Sequence, residues 1–216
     1  MACLDTGKEW DYNATSNALF LITDDGLSPA GRDVRGKTIT YAFDISNSQA
    51  LTVRGIDFFA CTFKVWNSDH VTVEDCDALF PSYSKRMLGD LAKAEPTTMD
   101  GDSNALVNCT FRYDDGSGLV CTGSDGVVEN CLFQNIDYSC VGNLNDGIAN
   151  IRKTVNMTFR HNTLDTGGNS VGVRGCPAFQ AAYNRVTNHG HLQHDGSAIQ
   201  TGSVYANGTV MHHNWI

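Results

Sequence analysis

The sequence predicts an all-β fold, a parallel β-helix of about six to seven coils, from three observations. Short β-rich pieces alternate with Asn, Asp, Ser and Gly along most of the chain, and 21 glycines indicate many turns. One six-residue pattern recurs seven times. The shortest steps between its copies are 20–22 residues, which is the size of one coil with three short strands.

The repeat has an apolar residue first, Cys, Asn or Ile fourth, and an apolar residue sixth. Its fourth positions are Ile56, Cys76, Cys109, Cys131, Asn162, Asn184 and Asn214, at steps of 20, 33, 22, 31, 22 and 30 residues. This pattern fits two short strands that meet at a tight bend. Asn tolerates a left-handed backbone and can form a ladder with identical neighbours, and the small Cys stacks well in such a column. Steps of 30–33 residues predict loops of roughly ten extra residues.

The apolar positions on either side of the bend predict the core of the coils. The first column is Val53, Val73, Leu106, Val128, Phe159, Ala181 and Met211, and the second is Phe58, Ala78, Phe111, Phe133, Leu164, Val186 and Ile216. Leucine-rich repeats are excluded because no regular L-x-x-L-x-L series is present.

The repeat divides the chain into an N-terminal lead-in with the first strands, residues 1–45, and the coils, residues 46–216. We expect loop insertions near residues 80–104, 143–155 and 187–196, and one short helix at Ser84–Glu95. A further set of strands is predicted to stack as one parallel sheet, at Leu119–Thr122, Cys140–Asn143, Val171–Arg174 and Ala198–Thr201.

Composition narrows the classes of partner. A formal charge of −9 argues against nucleic acid, since phosphate binding needs a basic face. No run of about 18 apolar residues occurs, so we expect no membrane partner. The eight cysteines fit buried reduced thiols, with an axial disulfide as the alternative, and no C-x-x-C pair indicates a metal.

Acidic residues in the loops that feed the predicted sheet suggest a glycosidase pair. Asp115 and Asp137 each follow their bend position by six residues, so we expect them to be neighbours about 5 Å apart. Asp195 enters the sheet two rungs beyond Asp137, roughly 10 Å away. A carboxyl separation of about 5–5.5 Å suits a retaining glycoside hydrolase and about 6.5–9.5 Å an inverting one, so both pairs stay open.

Other polar side chains surround these carboxylates. His194 precedes Asp195 and can shift its pKa according to its own charge, which makes it a third catalytic candidate. The candidates for substrate binding are Asp115, Tyr138, Asn143, Arg174, His191 and Gln193. Turn-forming Asp residues and surface histidines remain the structural alternative, and His191 with His194 lacks a third metal ligand at a familiar spacing.

The corners "NCTF", "ENCLF" and "RHNTL" and the opening "EWDYNATSNALFLITDDGLSPAG" resemble the right-handed parallel β-helix proteins of the pectate-lyase-like superfamily. The opening leads into "ITYAFDISNSQALTVRGIDFFACTF", so the resemblance spans most of the chain. It implies a right-handed coil and a substrate cleft along one sheet, walled by the longer loops. It also implies an extracellular or periplasmic protein that is monomeric at full length. Because the chain begins abruptly and ends inside a repeat at "MHHNWI", we expect truncation at both ends.

Three classes of function remain. The first is a glycoside hydrolase without a cofactor, which uses Asp137, Asp195 and His194 on a polysaccharide or oligosaccharide. The second is a polysaccharide lyase or uronate epimerase, with His194 or Arg174 as base and with calcium or Arg neutralising the substrate carboxylate. The third is a non-catalytic β-helix that binds glycan. We expect the hydrolase.

Overall fold

The computed structural model describes residues 4–83, 94–139, 146–152, 154–201 and 206–216. The chain divides into two units, residues 1–36 and 37–216. The first unit contains an antiparallel hairpin of β1 (Trp10–Asn13) and β2 (Ala18–Leu21). The predicted helix at Ser84–Glu95 falls largely on residues 84–93, outside the described ranges. Within those ranges no helix is long and apolar enough to cross a membrane.

The second unit is a right-handed parallel β-helix built from three parallel sheets, as predicted. Sheet A contains β4 (Thr52–Arg54), β7 (Thr72–Glu74), β10 (Ala105–Val107), β13 (Val127–Glu129), β16 (Thr158–Arg160), β19 (Gln180–Ala182) and β22 (Val210–His212). Sheet B contains β5 (Asp57–Phe59), β8 (Asp77–Leu79), β11 (Thr110–Asp114), β14 (Leu132–Ile136), β17 (Thr163–Gly167) and β20 (Arg185–Thr187). Sheet C contains β3 (Tyr41–Ser46), β6 (Thr62–Trp66), β9 (Thr98–Met99), β12 (Leu119–Cys121), β15 (Ala149–Ile151), β18 (Val173–Arg174) and β21 (Ile199–Gln200).

The bend between sheets A and B, the A–B corner, is two residues long on every coil. Its first residue has a left-handed backbone, as in Asn130 (φ 52°) and His161 (φ 57°), and its second is the repeat position, as in Cys131 and Asn162. The left-handed residue turns the chain sharply, and the next side chain then points into the coil. The structure therefore confirms the predicted bend column.

Buried asparagines form a ladder at this corner. Asn184 is fully buried, and its Nδ2 donates to the carbonyl oxygen of Phe159 at 2.9 Å and to Oδ1 of Asn214 at 3.0 Å. Its Oδ1 accepts from the backbone N–H of Asn162 at 3.0 Å. Each amide thus satisfies backbone groups that the tight bend leaves without strand partners, which is why a buried polar residue is stable here.

The predicted apolar columns form the core except on the last coil, where Met211 and Ile216 are exposed because no further coil packs on them. Val73, Leu106 and Phe159 of sheet A face Phe111 and Phe133 of sheet B, and all five are buried. The rings of Phe111 and Phe133 stack at 5.3 Å and 8°, which continues the regular rung spacing inside the coil. Full burial of such a side chain stabilises the fold by about 1.5–3 kcal/mol. The described cysteines are free thiols: Cys61, Cys76, Cys109, Cys121, Cys131 and Cys176.

One predicted strand of sheet C was wrong. β15 (Ala149–Ile151) pairs with both β12 and β18, in the place expected for Cys140–Asn143. Residues 140–145 lie outside the described ranges. In β15 the side chains of Ala149 and Ile151 belong to the core, so this segment has the alternation that a rung needs. The structure also places a strand of sheet C, β9, within residues 80–104, where a loop insertion was predicted.

We predict that Asn184→Ala lowers the free energy of unfolding by about 3 kcal/mol, because it leaves buried backbone groups without partners. Urea unfolding followed by circular dichroism measures this change. Asn130→Gly is the control: Asn130 occupies the exposed, left-handed position of the same corner, which glycine accommodates. Equal losses in the two variants would contradict a special role for the inward ladder.

Candidate functional site

The candidate site lies where sheet B strands lead into sheet C strands, here called the B–C corner. Asp114, Ile136 and Gly167 end three successive sheet B strands and are paired in register. Asp115, Asp137 and Gly168 follow them directly, so these residues are stacked one rung apart, about 4.8 Å. The structure therefore brings Asp115 and Asp137 together as neighbours.

Asp137 is held rigidly within this corner. It is fully buried, has a left-handed backbone (φ 54°), and its backbone N–H donates to the carbonyl oxygen of Asp114 at 2.7 Å. Asn169 Nδ2 lies 3.4 Å from Asp137 Oδ2. A Cβ at Gly168 would come within 2.0 Å of the Asp137 carbonyl oxygen, so only glycine fits on the next rung. Asp115 is also buried, with 6% of its surface exposed.

Asp114 forms a buried acid beside this pair. Burial raises its pKa to about 8, while the hydroxyl of Ser82, which donates to its Oδ1, and the charge of Lys37 oppose the rise. Within the described ranges, its Oδ2 has no hydrogen-bond partner. The carboxyl is therefore largely protonated at neutral pH. Burial likewise lowers the pKa of Lys37, and Asp114 partly offsets this.

Tyr138 follows Asp137 and is the exposed member of the corner, with 51% of its surface accessible. Partial burial raises the pKa of its phenol, and the charges of Asp115 and Asp114 raise it further. The phenol therefore stays protonated over the physiological range and can donate a hydrogen bond next to the carboxylates.

The segment from His189 to Asp195 covers the following rung. The backbone N–H groups of Leu192 and Gln193 donate to the carbonyl oxygen of Gly168 at 3.1 and 3.2 Å. The side chains of His191, His194 and Asp195 are exposed, and Gln193 is half-buried. The Asp195 backbone is held by the Ser170 hydroxyl at 2.8 Å, while its carboxylate extends into solvent two rungs beyond Asp137.

The structure orients His189, which was not among the residues predicted for the site. Its Nδ1 lies 3.0 Å from the carbonyl oxygen of Ser170. A carbonyl only accepts, so Nδ1 carries the hydrogen and Nε2 presents its lone pair when the ring is neutral. This contact joins residues of neighbouring coils, so no local sequence pattern predicts it.

The outer face of sheet C adjoins the corner. Asn150, Arg174 and Gln200 form a row along it, since they are paired in register and alternate with core-facing residues. Arg174 and Gln200 are half-buried, and Asn150 is buried. Among described residues, neither amide atom of Asn150 has a hydrogen-bond partner. The prediction missed Asn150 because it assigned this rung to Cys140–Asn143, and the candidate Asn143 lies outside the described ranges.

No cluster of three or more His, Cys, Asp or Glu side chains within the described ranges has the geometry to hold a metal ion. A small apolar cavity lies elsewhere, inside the coil, between residues such as Met99, Cys121 and Met157. Comparisons with protein-family models, curated proteins and solved structures found no match for this chain. The site geometry is therefore the basis for a functional proposal.

Titration of Asp114 makes a testable contribution to stability. Because its folded pKa lies above the unfolded value of 3.8, the folded protein binds more protons between about pH 4 and pH 8. Stability from this group is therefore fully present at low pH and falls as pH rises toward 8, by at most about 1.4 kcal/mol per pH unit.

We predict that Asp114→Asn removes this loss, since the amide keeps an acceptor for Ser82 and does not ionise. Urea unfolding of both proteins at pH 5, 6, 7 and 8 measures the difference between their free energies of unfolding. The contributions of the other titrating groups cancel in this difference. The variant should gain stability relative to the parent chain as pH rises. Parallel profiles would show that Asp114 is ionised across this range.

Proposed function

We propose that this protein is a carbohydrate-active β-helix of the pectate-lyase-like type, and that it hydrolyses a polysaccharide or oligosaccharide held along the outer face of sheet C. The observation that carries the proposal is the polar row Asn150, Arg174 and Gln200 beside the stacked Asp115 and Asp137. The half-buried Arg174 and Gln200, on successive rungs, suit the hydroxyl groups of successive sugar units, and paired carboxylates are the usual groups that cleave glycosidic bonds.

The rung spacing favours one pair of carboxylates. Asp115 and Asp137 are one rung apart, about 4.8 Å, close to the spacing of about 5–5.5 Å in retaining hydrolases. Asp195 is two rungs from Asp137, about 10 Å, just beyond the inverting range of about 6.5–9.5 Å. We therefore assign Asp115 and Asp137 as the proposed acid and nucleophile, with Tyr138 and Arg174 orienting the sugar. Asp195, His191, Gln193 and His194 would then contact substrate at the rim.

A non-catalytic glycan-binding protein is the second candidate. It is favoured by the complete burial of Asp137 and by its tight packing against Gly168 and Asn169. In that case the corner carboxylates shape the coil, and the row on sheet C binds sugar without cleaving it.

We predict that Asp115→Asn and Asp137→Asn each reduce hydrolysis at least about 100-fold. Activity is measured on a panel of polysaccharides by release of reducing ends, with absorbance of unsaturated products followed in parallel. Asp125→Asn is the matched control: Asp125 is an exposed carboxylate with a left-handed backbone (φ 57°) like that of Asp137, but it lies at the start of sheet A.

The outcomes separate the candidates. Reducing ends that disappear in both corner variants but persist in Asp125→Asn support the hydrolase. Unsaturated products that survive both substitutions would contradict it in favour of a lyase. Binding of a polysaccharide without product would favour the glycan-binding protein.

A further inference from the structure

An exposed aromatic ladder lies on the outside of the coil, on sheet B rather than on sheet C. It consists of Phe59, Phe80 and Tyr113, on three successive rungs at the end of sheet B strands. Their exposed fractions are 48%, 42% and 43%. Ring centroids lie 6.2 Å apart for Phe59 and Phe80 and 5.5 Å apart for Phe80 and Tyr113. The three side chains thus form one continuous surface.

The fold does not require aromatic residues at this position. Phe80 (φ 56°) and Tyr113 (φ 57°) occupy the left-handed position that follows the third residue of each sheet B strand. Other coils place Ala60, Asn135, Thr166 and Asn188 in the same column. Bulky side chains rarely adopt a left-handed backbone, and exposure leaves their apolar surface in water. A left-handed backbone and exposed apolar surface are both unfavourable for these aromatic residues, so their presence in this column indicates a function other than stabilising the fold.

A second ring stack provides a contrast. His161, Tyr183 and His213 occupy the left-handed position of the A–B corner, with centroids 5.0 and 4.9 Å apart and interplanar angles of 3° and 22°. Their faces cover one another, so this stack stabilises its own corner. In the aromatic ladder the rings meet at 89° and 32°, which leaves more of each ring face open.

The size of the ladder indicates what covers it. The three rings expose on the order of 300 Å² together, whereas a stable protein interface needs about 800 Å² from each partner. The ladder is therefore too small for a second copy of this chain. It suits a narrow ligand that lies along the coil axis, and the rung spacing of about 4.8 Å is close to the length of one pyranose unit in an extended glycan.

Polar groups on the same face fit a neutral glycan. Asp57 and Asp77 are exposed, paired in register and two residues before Phe59 and Leu79, so their carboxylates point to the same side as the ladder. Carboxylates accept hydrogen bonds from sugar hydroxyls, while ring faces contact the C–H faces of pyranoses. A net charge of −9 disfavours polyanionic chains.

We infer that the ladder of Phe59, Phe80 and Tyr113 is a second glycan-binding site, which holds a neutral, extended polysaccharide along the outside of sheet B. Its ligand class rests on the proposed function, but it needs no catalysis. The site would keep the protein on an insoluble substrate while sheet C contacts another chain or another stretch of the same chain.

The test uses Phe80→Asn and Tyr113→Asn, because Asn occupies the same left-handed column at Asn135 and Asn188 and should preserve folding. The full chain is incubated with microcrystalline cellulose, chitin and insoluble xylan, and the bound fraction is measured after pelleting. We expect binding about tenfold weaker in each variant. Tyr183→Asn is the matched control, an exposed aromatic at the same backbone geometry (φ 58°) in the other stack.

Product release is measured on the same samples to separate this inference from the proposed function. Ladder-dependent binding supports the second site, whether or not product forms. Product formation without retention would overturn the second site and leave the hydrolase standing. Retention unchanged in both variants would also overturn it, as would a dimer in light scattering that the two substitutions dissociate.

Discussion

The two-residue bend between sheets A and B is the constraint on which the rest of this β-helix depends. A left-handed residue turns the chain, and the following Cys or Asn side chain points inward. In the C-terminal coils, Asn162, Asn184 and Asn214 hydrogen-bond one another and the backbone of the neighbouring coil. Because each inward residue must stack on the last, the register of sheets A and B is set at every rung.

The B–C corner is free to vary once this register is set. The B–C corner accepts insertions of different length, yet sheet C remains in register through β12, β15 and β18. Insertions there bring polar groups from distant parts of the chain together, as Asn169 meets Asp137. A rigid scaffold with one variable corner is a common way to position functional residues.

Burial at the B–C corner has an electrostatic consequence. Three carboxyl groups, Asp114, Asp115 and Asp137, lie within two adjacent rungs and are all shielded from water. Desolvation and mutual repulsion keep Asp114 protonated, so the corner carries less negative charge than its composition suggests. The same exclusion of water strengthens electrostatic interactions with the remaining carboxylates.

The sequence by itself determined the fold, because the repeat of Cys131, Asn162 and Asn184 with flanking apolar positions is local and periodic. It also predicted that Asp115 and Asp137 are neighbours, since equal offsets from the bend place residues on adjacent rungs. Only the tertiary structure decided which segment forms the rung at Asn150, because a long insertion has no periodicity. Burial of Asp137 and the orientation of His189 likewise depend on contacts between coils, and such contacts have no trace in local sequence.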